Sequence, residues 1–314
     1  MTTHVLAIAG GVGGAKLALG LTRVLAPDQL TIAVNTGDDE TFHGLHVSPD
    51  LDTVMYTLAG MSNPETGWGI AGETFRALGA LQRLGANTWF RLGDLDLATH
   101  IRRTQLLRDG LTLSQATREL TSALGIRHPI VPMSDDVLRT VAVTDDGELA
   151  FQEYFVHRHC EPRIAGIRFE GAATARPSPG LWAALASATA IVYCPSNPLV
   201  SIGPVLALAG VRDAIAAFAG PKIAVSPIVG GQAVKGPAAK MMAELGEEVS
   251  CVGVARRYAG VCDAIFIDTV DAANAGAIEG MGMRAYVTDT VMHTDDDKEA
   301  LARQIVGIVE AWDE

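Results

Sequence analysis

The chain has 314 residues, of which 48% are hydrophobic and 19% charged, so it is long enough to bury a large core in one α/β domain or in two smaller ones. Its formal net charge of −12, with no long run of lysine or arginine, argues against binding to nucleic acid or to an anionic membrane surface. The four cysteines form no Cys-x-x-Cys pair, which indicates neither a zinc site nor a disulfide framework and fits a reducing cytoplasm.

The first apolar run, residues 5–9, is followed by glycines and has no basic segment before it, so it predicts a buried strand rather than a signal peptide. The stretch "GGVGGAKLALGL" then predicts a glycine turn that leads into a helix over 15–25. Such a turn lets backbone N–H groups approach a phosphate at the helix N-terminus. It fits neither standard nucleotide motif: Lys16 stands where a dinucleotide fingerprint has its third glycine, and no Gly-Lys-Ser/Thr sequence is present. A tight turn without a ligand is the alternative.

The second apolar run, 30–34, leads into an acidic stretch, "NTGDDETFHGLHVSPDLDT". Ligands of doubly wound folds bind at the carboxyl edge of the sheet, where these carboxylates would lie. They can hold Mg²⁺ or accept a proton from a hydroxyl nucleophile. Asp50 and Asp52 are favoured, because Pro49 stiffens the approach to them and an apolar run follows. The alternative is that the acidic residues are solvated turn formers.

The middle of the chain departs from this alternation of strand and helix. Residues 65–124 have apolar side chains at helical spacing, which predicts a helical insertion at about 65–125. Two strand-like runs, 137–143 and 149–157, flank "TDDG", whose Asp-Gly step is typical of a hairpin. We therefore expect an antiparallel excursion at about 137–175.

Four further apolar runs follow at 190–194, 222–226, 264–267 and 283–287, with helix-like segments at 204–218 and 236–245 between them. Continuous rather than alternating apolar runs are typical of strands buried on both faces. They predict a Rossmann-like α/β fold, with a mostly parallel sheet, helices on both faces, and the insertion and hairpin added to it. With no linker or repeat, residues 1–314 are predicted to form a single domain.

Two of the later loops resemble the glycine turn in their chemistry. Ser196 and Asn197 lie after a strand and before a helix, where they can cap the helix or donate to a phosphate. Gly230, Gly231 and Lys235 also follow a strand and can wrap an anionic group. Three such loops on one sheet edge imply a nucleotide-sized pocket, although a solvent-facing lysine is the alternative for Lys235.

Six motifs in order make the chain resemble the 2-phospho-L-lactate transferase family, enzymes that build the deazaflavin coenzyme F420. They are "GGVGGAKLALGL", "NTGDDETFHGLHVSPDLDTVMYTLAG", "WFRLGDLDLATHI", "PMSDD", "SNPLVSIGP" and "SPIVGGQAVKGP". The resemblance implies transfer of a phospholactyl-type group (2-phospholactate, phosphoenolpyruvate or phosphoglycerate) from a guanosine diphospho donor to the ribityl hydroxyl of the deazaflavin Fo. GMP leaves, and a phosphodiester, F420-0 or its dehydro form, is produced.

The resemblance also implies site residues. Asp50 and Arg91 match positions that bind the deazaflavin, and Trp89 lies beside Arg91; Trp68, Trp89 and Phe90 are the expected packing partners of its ring. As a hypothesis from the chemistry of the residues, Asp50, helped by Asp38 or Asp52, holds the cofactor Mg²⁺ or deprotonates the hydroxyl, and Asp38 and Asp50 are the candidate ligands of the ion. The expected donor-binding residues are Gly11, Gly13, Gly14, Lys16, Ser196, Asn197, Gly230 and Lys235.

A homodimer would match the resemblance, and the only other expected partners are the two small-molecule substrates. Two rivals come from other classes. A non-catalytic nucleotide-sugar-binding regulator of the same superfamily would share the glycine opening and the acidic loop, but we expect it to lack the pair "SPDLDTVMYTLAG" and "WFRLGDLDLATHI". A nicotinamide-dependent dehydrogenase is disfavoured because its fingerprint is broken at Lys16. The three-carbon unit of the donor stays open, since its versions differ only by a methyl, a double bond or a hydroxyl.

Overall fold

A seven-stranded parallel sheet forms the centre of the structure, a computed structural model that describes residues 3–312. In chain order the strands are β1 (Val5–Ala9), β2 (Leu30–Val34), β3 (Glu40–Phe42), β4 (Leu45–Val47), β5 (Ile130–Pro132), β6 (Arg139–Thr144), β7 (Gly147–Ala150), β8 (Ile164–Glu170), β9 (Ala190–Tyr193), β10 (Lys222–Val225), β11 (Ile228–Val229), β12 (Gln232–Ala233), β13 (Ala264–Asp268) and β14 (Arg284–Thr288). The central sheet has the order β14-β13-β10-β9-β1-β2-β5, and every neighbouring pair in it is parallel.

The structure confirms the α/β fold and the six strands that the apolar runs of the sequence predicted for this sheet. Every residue of β1, β2, β9, β10 and β13 is buried, as expected for strands covered on both faces. The strand that the sequence did not predict is β5, which has three residues and ends in Pro132. It lies at the edge of the sheet, the place where a proline without an N–H donor is tolerated.

Helices cover both faces of the sheet. In chain order they are α1 (Gly11–Val24), α2 (Pro49–Leu58), α3 (Arg76–Arg83), α4 (Asp94–Arg108), α5 (Leu113–Ala123), α6 (Pro179–Ser187), α7 (Gly203–Ala207), α8 (Val211–Ala216), α9 (Ala238–Glu244), α10 (Cys251–Arg257), α11 (Ala275–Glu279) and α12 (Asp295–Glu310). The core against one face is formed with α1, α2, α5 and α12, and the core against the other with α6 to α10. Within the described chain no helix is both long and apolar enough to cross a membrane.

Two predicted elements differ from the structure. The helix predicted over 204–218 is two short helices, α7 and α8, because Leu208 is extended and Gly210 has a φ of 75°. The second hairpin strand, predicted over 149–157, ends at Ala150. Residues 153–157 form a π-helical turn instead, which buries Tyr154 in the core.

The antiparallel excursion itself is present and has one more strand than predicted. The strand β6 lies between β7 and β8, in the order β7-β6-β8. The predicted helical insertion contains α3, α4 and α5, but its helices begin only at Arg76. The buried face of α4 is largely polar, with His100, Arg103 and Thr104, whereas Ile101 on the same helix is 54% exposed. Apolar spacing therefore indicated the helix without indicating its buried face.

Candidate functional site

The glycine turn, residues 10–14, joins β1 to α1 and includes the first turn of that helix, and it packs closely against the loop after β9. Gly10 is extended and caps α1, and Gly11 has a φ of 60°, a backbone conformation that favours glycine. A Cβ on Gly13 would lie 2.2 Å from the carbonyl oxygen of Pro195, and one on Gly14 would lie 2.6 Å from Ser196 Oγ. The glycines are therefore required for the loop after β9 to lie directly on the first turn of α1.

Ser196 fixes that contact from the other side. Its hydroxyl accepts a hydrogen bond from the Gly10 N–H at 3.1 Å and donates one to the Gly10 carbonyl at 2.8 Å. Asn197 is held within its own loop, where its Oδ1 accepts from the Leu199 N–H at 2.9 Å. Its amide nitrogen lies 3.7 Å from Met241 Sδ. Both residues predicted for donor binding thus lie at the glycine turn and also have structural partners.

Asp38 and Asp50 lie on either side of one amide group, at the carboxyl end of β2. Asn35 Nδ2 donates to Asp50 Oδ2 at 2.9 Å and to Asp38 Oδ1 at 3.2 Å. Gln152, which follows the antiparallel strand β7, donates to the other oxygen of Asp38 at 2.9 Å. Asp50, the second residue of α2, also accepts a hydrogen bond from the backbone of Gly11. The acidic pair is therefore joined to the first turn of α1.

The environment of this pair disfavours two negative charges. Burial raises the pKa of Asp50 to about 6, although the hydrogen bonds from Asn35 and Gly11 act to lower it. Burial, followed by the nearby carboxylates of Asp50 and Asp39, raises the pKa of Asp38 well above its usual range. In residues 3–312 neither carboxylate forms an ion pair. A positive charge placed close to the pair would therefore favour the ionised forms of both carboxyl groups.

Asp52 and Asp39 have other partners. Asp39 accepts hydrogen bonds from Ser48 Oγ at 2.7 Å and pairs with His46 Nε2 at 2.9 Å. Asp52 forms a buried ion pair with both terminal nitrogens of Arg103, a side chain with no exposed surface. Of the three predicted catalytic carboxylates, the structure thus brings Asp38 and Asp50 together and turns Asp52 towards α4.

The ion pair of Asp52 is part of a buried polar network between α2 and α4. His100 Nε2 lies 3.1 Å from Asp96 Oδ1, and the Tyr56 hydroxyl donates to the same carboxylate oxygen at 2.7 Å. Asp52, Asp96 and His100 offer ligand atoms within 4.8 Å of one another. The guanidinium of Arg103 already supplies the positive charge at this cluster. We therefore interpret the network as a set of interactions that holds α2 in place rather than as a metal site.

Two lysines lie near the N-terminal half of α1: Lys16 is on this helix, and Lys235 is in the loop between β12 and α9. Lys16 Nζ donates to the carbonyl oxygen of Met292 at 2.6 Å. Burial, followed by the charges of Lys298 and Lys235, lowers the pKa of Lys16. Lys235 Nζ donates to the carbonyl oxygen of Thr66. Gly230, in the turn between β11 and β12 that precedes Lys235, donates its N–H to Asp271 at 2.9 Å.

The predicted acceptor residues lie in the segment between α3 and α4. The guanidinium of exposed Arg91 lies over the ring of Phe75, with 4.3 Å to the centroid. Trp89 stacks on His157, with centroids 4.9 Å apart and an interplanar angle of 15°. His157 is the last residue of the π-helical turn that follows Gln152, and Gln152 donates a hydrogen bond to Asp38. The stack therefore joins the helical insertion to the segment that contacts Asp38. No hydrogen bond among the described residues links Arg91 or Trp89 to the acidic pair.

A cavity of about 290 Å³ opens beside Asp38, between the acidic loop and the antiparallel sheet. Its sheet wall includes Arg139 on β6, Glu148 on β7, and Arg168 and Glu170 on β8, and Gln152 lines the cavity beside them. Glu148 and Arg168 form an ion pair across this wall at 2.6 Å.

Sequence reasoning missed three residues of the site: Asn35, Gln152 and Arg103. Asn35 follows a predicted strand directly, which is a usable signal. Gln152 lies 114 residues from Asp38 in the chain, and Arg103 lies on a helix whose other arginines are exposed, so neither position carries a local signal.

Comparison with known proteins gives a consistent result. The family model described as "2-phospho-L-lactate transferase CofD" matches residues 5–311. The chain is 44% identical to a phosphoenolpyruvate transferase of Streptomyces griseus, over 98% of both chains. It is 39% identical to a 2-phospho-L-lactate transferase of Methanothermobacter thermautotrophicus, over 96% of both chains. Among solved structures, protein BH3568 of Bacillus halodurans aligns over 98% of this chain and 100% of its own, with a TM-score of 0.63 at 16% identity, a likeness of fold.

Proposed function

Because the chain belongs to the 2-phospho-L-lactate transferase CofD family, we propose that it transfers a phospholactyl-type group from a guanosine diphospho donor to the ribityl hydroxyl of the deazaflavin Fo. GMP is the leaving group, and the product is F420-0 or its dehydro form. Relatives named phosphoenolpyruvate transferase and 2-phospho-L-lactate transferase both match along nearly the whole chain. The proposal therefore covers both of these three-carbon units and the glyceryl one.

The observation that carries the proposal is the pairing of Asp38 and Asp50 through Asn35 at the N-terminus of α1. Transfer of a substituted phosphate group requires a positioned hydroxyl and stabilisation of charge on the phosphate oxygens. The N–H groups of the first turn of α1 supply partial positive charge for the phosphates. The acidic pair lies within one hydrogen bond of that turn, so both requirements meet in one place.

The acidic pair also fits Mg²⁺. Two buried carboxylates that share an amide donor, without a cation among the described residues, form an oxygen-rich donor set of the kind that Mg²⁺ prefers. In the proposal Asp38 holds the ion, and Asp50 is either its second ligand or the general base. When bound, the ion would neutralise charge on the diphosphate of the donor.

Asp50 is the proposed general base. A carboxyl whose pKa is about 6 is largely ionised at neutral pH and is a stronger base than an ordinary aspartate. As the hydroxyl oxygen of Fo forms its bond to the phosphorus of the three-carbon unit, its proton passes to Asp50. The bond between that phosphorus and the bridging oxygen breaks, and the electron pair leaves with GMP. Asp52 acts indirectly, since its ion pair with Arg103 anchors the helix that carries Asp50.

The donor is proposed to lie along the loops after β1, β9 and β10. The first turn of α1 (Gly11, Gly13 and Gly14) faces the phosphates, and Lys16 and Lys235 add positive charge close to it. Ser196 and Asn197 hold the edge of this turn, and Gly230 shapes the turn that precedes Lys235.

The acceptor is proposed to lie on the side of the insertion. Arg91 and Trp89 border this side, and the Trp89 stack on His157 lies next to the segment that holds Asp38. The protein is further proposed to be a homodimer, which sedimentation equilibrium over a range of concentrations would test.

The test is a mass-spectrometric assay of the purified protein with Fo, Mg²⁺ and each of the three guanosine diphospho donors in parallel. We expect GMP release and one deazaflavin adduct whose mass identifies the three-carbon unit. Folded protein that gives no adduct with any donor would overturn the proposed function. The variant Asp50→Asn is the matched control, because it keeps the volume of the side chain and loses the base.

A further inference from the structure

Of the three aromatic residues that the sequence suggested for ring packing, two already stack on another ring of the protein. Trp89 stacks on His157 and meets Phe42 edge-on, with centroids 5.2 Å apart. Phe90 stacks on Phe42, with centroids 4.0 Å apart. Trp68 is different: it is 48% exposed, and between residues 3 and 312 no aromatic ring or cation stacks on it.

Trp68 lies on the returning side of a tight loop, residues 61–71, whose backbone is held by hydrogen bonds between its two sides. Ser62 and Ile70 form an antiparallel bridge, and the Asn63 N–H donates to the Gly69 carbonyl at 3.0 Å. The Thr66 hydroxyl donates to the Trp68 carbonyl at 2.6 Å. The position of Trp68 is therefore fixed by its backbone before any ligand arrives, which lowers the entropic cost of stacking.

The same loop is packed against the glycine turn. A Cβ on Gly67 would lie 2.6 Å from Val12 Cγ1 and 3.1 Å from Lys235 Nζ, so the backbone of Gly67 touches both. Lys235 Nζ donates to the carbonyl of Thr66. The residue that carries the exposed indole thus directly follows a glycine that contacts the first turn of α1 and the ammonium group of Lys235, which together form the phosphate side of the proposed site.

We propose that Trp68 stacks on the guanine ring of the nucleotide donor, an inference that rests on the proposed function. The base of a nucleotide is joined to its phosphates through one ribose, so a nucleotide whose phosphates lie at Lys235 and α1 carries its base close by. The ring of Fo is joined to its reacting hydroxyl through a longer ribityl chain and belongs to the side of Arg91. Indole is a large, flat surface on which a purine stacks well.

The experiment measures binding of GDP and of Fo separately, by calorimetry in the presence of Mg²⁺, for wild type, Trp68→Ala, Trp68→Phe and Trp182→Ala. Trp182 is a matched control, since it is also 48% exposed but lies on α6, which packs on the other face of the sheet. We expect Trp68→Ala to weaken GDP binding about tenfold, the loss typical of one stacked base, and Trp68→Phe to weaken it less. Binding of Fo should be the same for all four proteins.

Intrinsic fluorescence gives a second readout. GDP should quench the emission of wild type and of Trp182→Ala but not that of Trp68→Phe. Unchanged GDP affinity in Trp68→Ala, or a loss of Fo affinity in its place, would overturn the stacking assignment while leaving the transferase proposal standing. A wild-type protein that binds neither GDP nor Fo would overturn both.

Discussion

Asp50 and Gly10 are packed so closely that a Cβ at position 10 would lie 2.5 Å from the Oδ2 atom of Asp50. The carboxylate cannot simply rotate away, because Asn35 and the backbone of Gly11 hold it in place. The other neighbour of that Cβ is Ser201, whose own Cβ would be 2.7 Å distant. The absence of a side chain at position 10 thus sets the position of the proposed base.

Gly10→Ala should therefore lower turnover. The added methyl displaces the carboxylate of Asp50, and a misplacement on the order of 1 Å at a reacting group costs roughly a hundredfold in rate. Steady-state kinetics with the preferred donor measures the effect. Gly307→Ala is the control: Gly307 lies within α12, where a Cβ meets nothing within 4 Å, and the substitution should leave turnover unchanged. Equal turnover of the two variants would disprove the packing argument.

Asp50→Asn should change how stability depends on pH. The pKa of Asp50 is raised in the folded protein, which means that folding favours the neutral carboxyl group. The stabilisation from this group is therefore fully present at pH values below the ordinary aspartate range, and it is lost as pH rises through about 6. The variant, which carries no charge, should be more stable than wild type at pH 7 in the presence of EDTA, by up to about 3 kcal/mol. At pH 4 the two proteins should be alike.

Urea unfolding at the two pH values measures this difference. The control is Asp109→Asn, an exposed substitution at the end of α4, which should not alter the pH dependence. The difference in stability between Asp50→Asn and wild type should shrink when the pH is lowered from 7 to 5. An unchanged difference would contradict a raised pKa of the buried Asp50 carboxyl group.

Mg²⁺ should stabilise the wild-type protein in the absence of substrates. A ligand that binds only the folded state at about a hundred times its Kd adds about 2.7 kcal/mol. We expect the thermal midpoint at pH 7.5 to rise with millimolar Mg²⁺ in wild type, and to rise much less in Asp38→Asn and Asp50→Asn. The same midpoint shift in all three proteins would place the ion elsewhere.

Arg103→Met should destabilise the protein strongly. Removal of one partner of a buried ion pair leaves an uncompensated charge, here on Asp52, at a cost of about 3 to 5 kcal/mol. The double variant Arg103→Met/Asp52→Asn should recover most of that loss, because the unpaired charge is gone. As a control, Arg303→Met removes an exposed pair with Glu299 and should cost less than about 1 kcal/mol. Additive losses in the double variant would show that the two residues are not coupled.

Six strands of the central sheet were predictable, because a strand that is buried on both faces leaves a continuous apolar run in the sequence. Residues 264–267 are an example, and they form most of β13. The antiparallel turn was predictable from its Asp-Gly step. The strand predicted to continue to residue 157 was wrong because the burial of Phe151 and Tyr154 favours a π-helical turn, and tertiary packing of this kind has no local signature.

The acidic loop was predictable as a group, but the choice among its members was not. Asp50 and Asp52 lie two residues apart at the start of one helix and look equivalent in the sequence. The structure distinguishes them by their partners: Asp50 meets Asn35, and Asp52 meets Arg103, 51 residues later. Only the fold reveals that Arg103 faces inward.

The position of β1 in the sheet has a consequence for synthesis of the protein. β1 is central, yet one of its two neighbours is β9, so that Val5 pairs with Ala190. During translation one edge of this wholly apolar strand has no partner until about residue 193 has left the ribosome. An unpaired apolar edge is a template for association with other chains. We therefore expect truncations that end before β9 to aggregate, and the nascent chain to depend on chaperones over that interval.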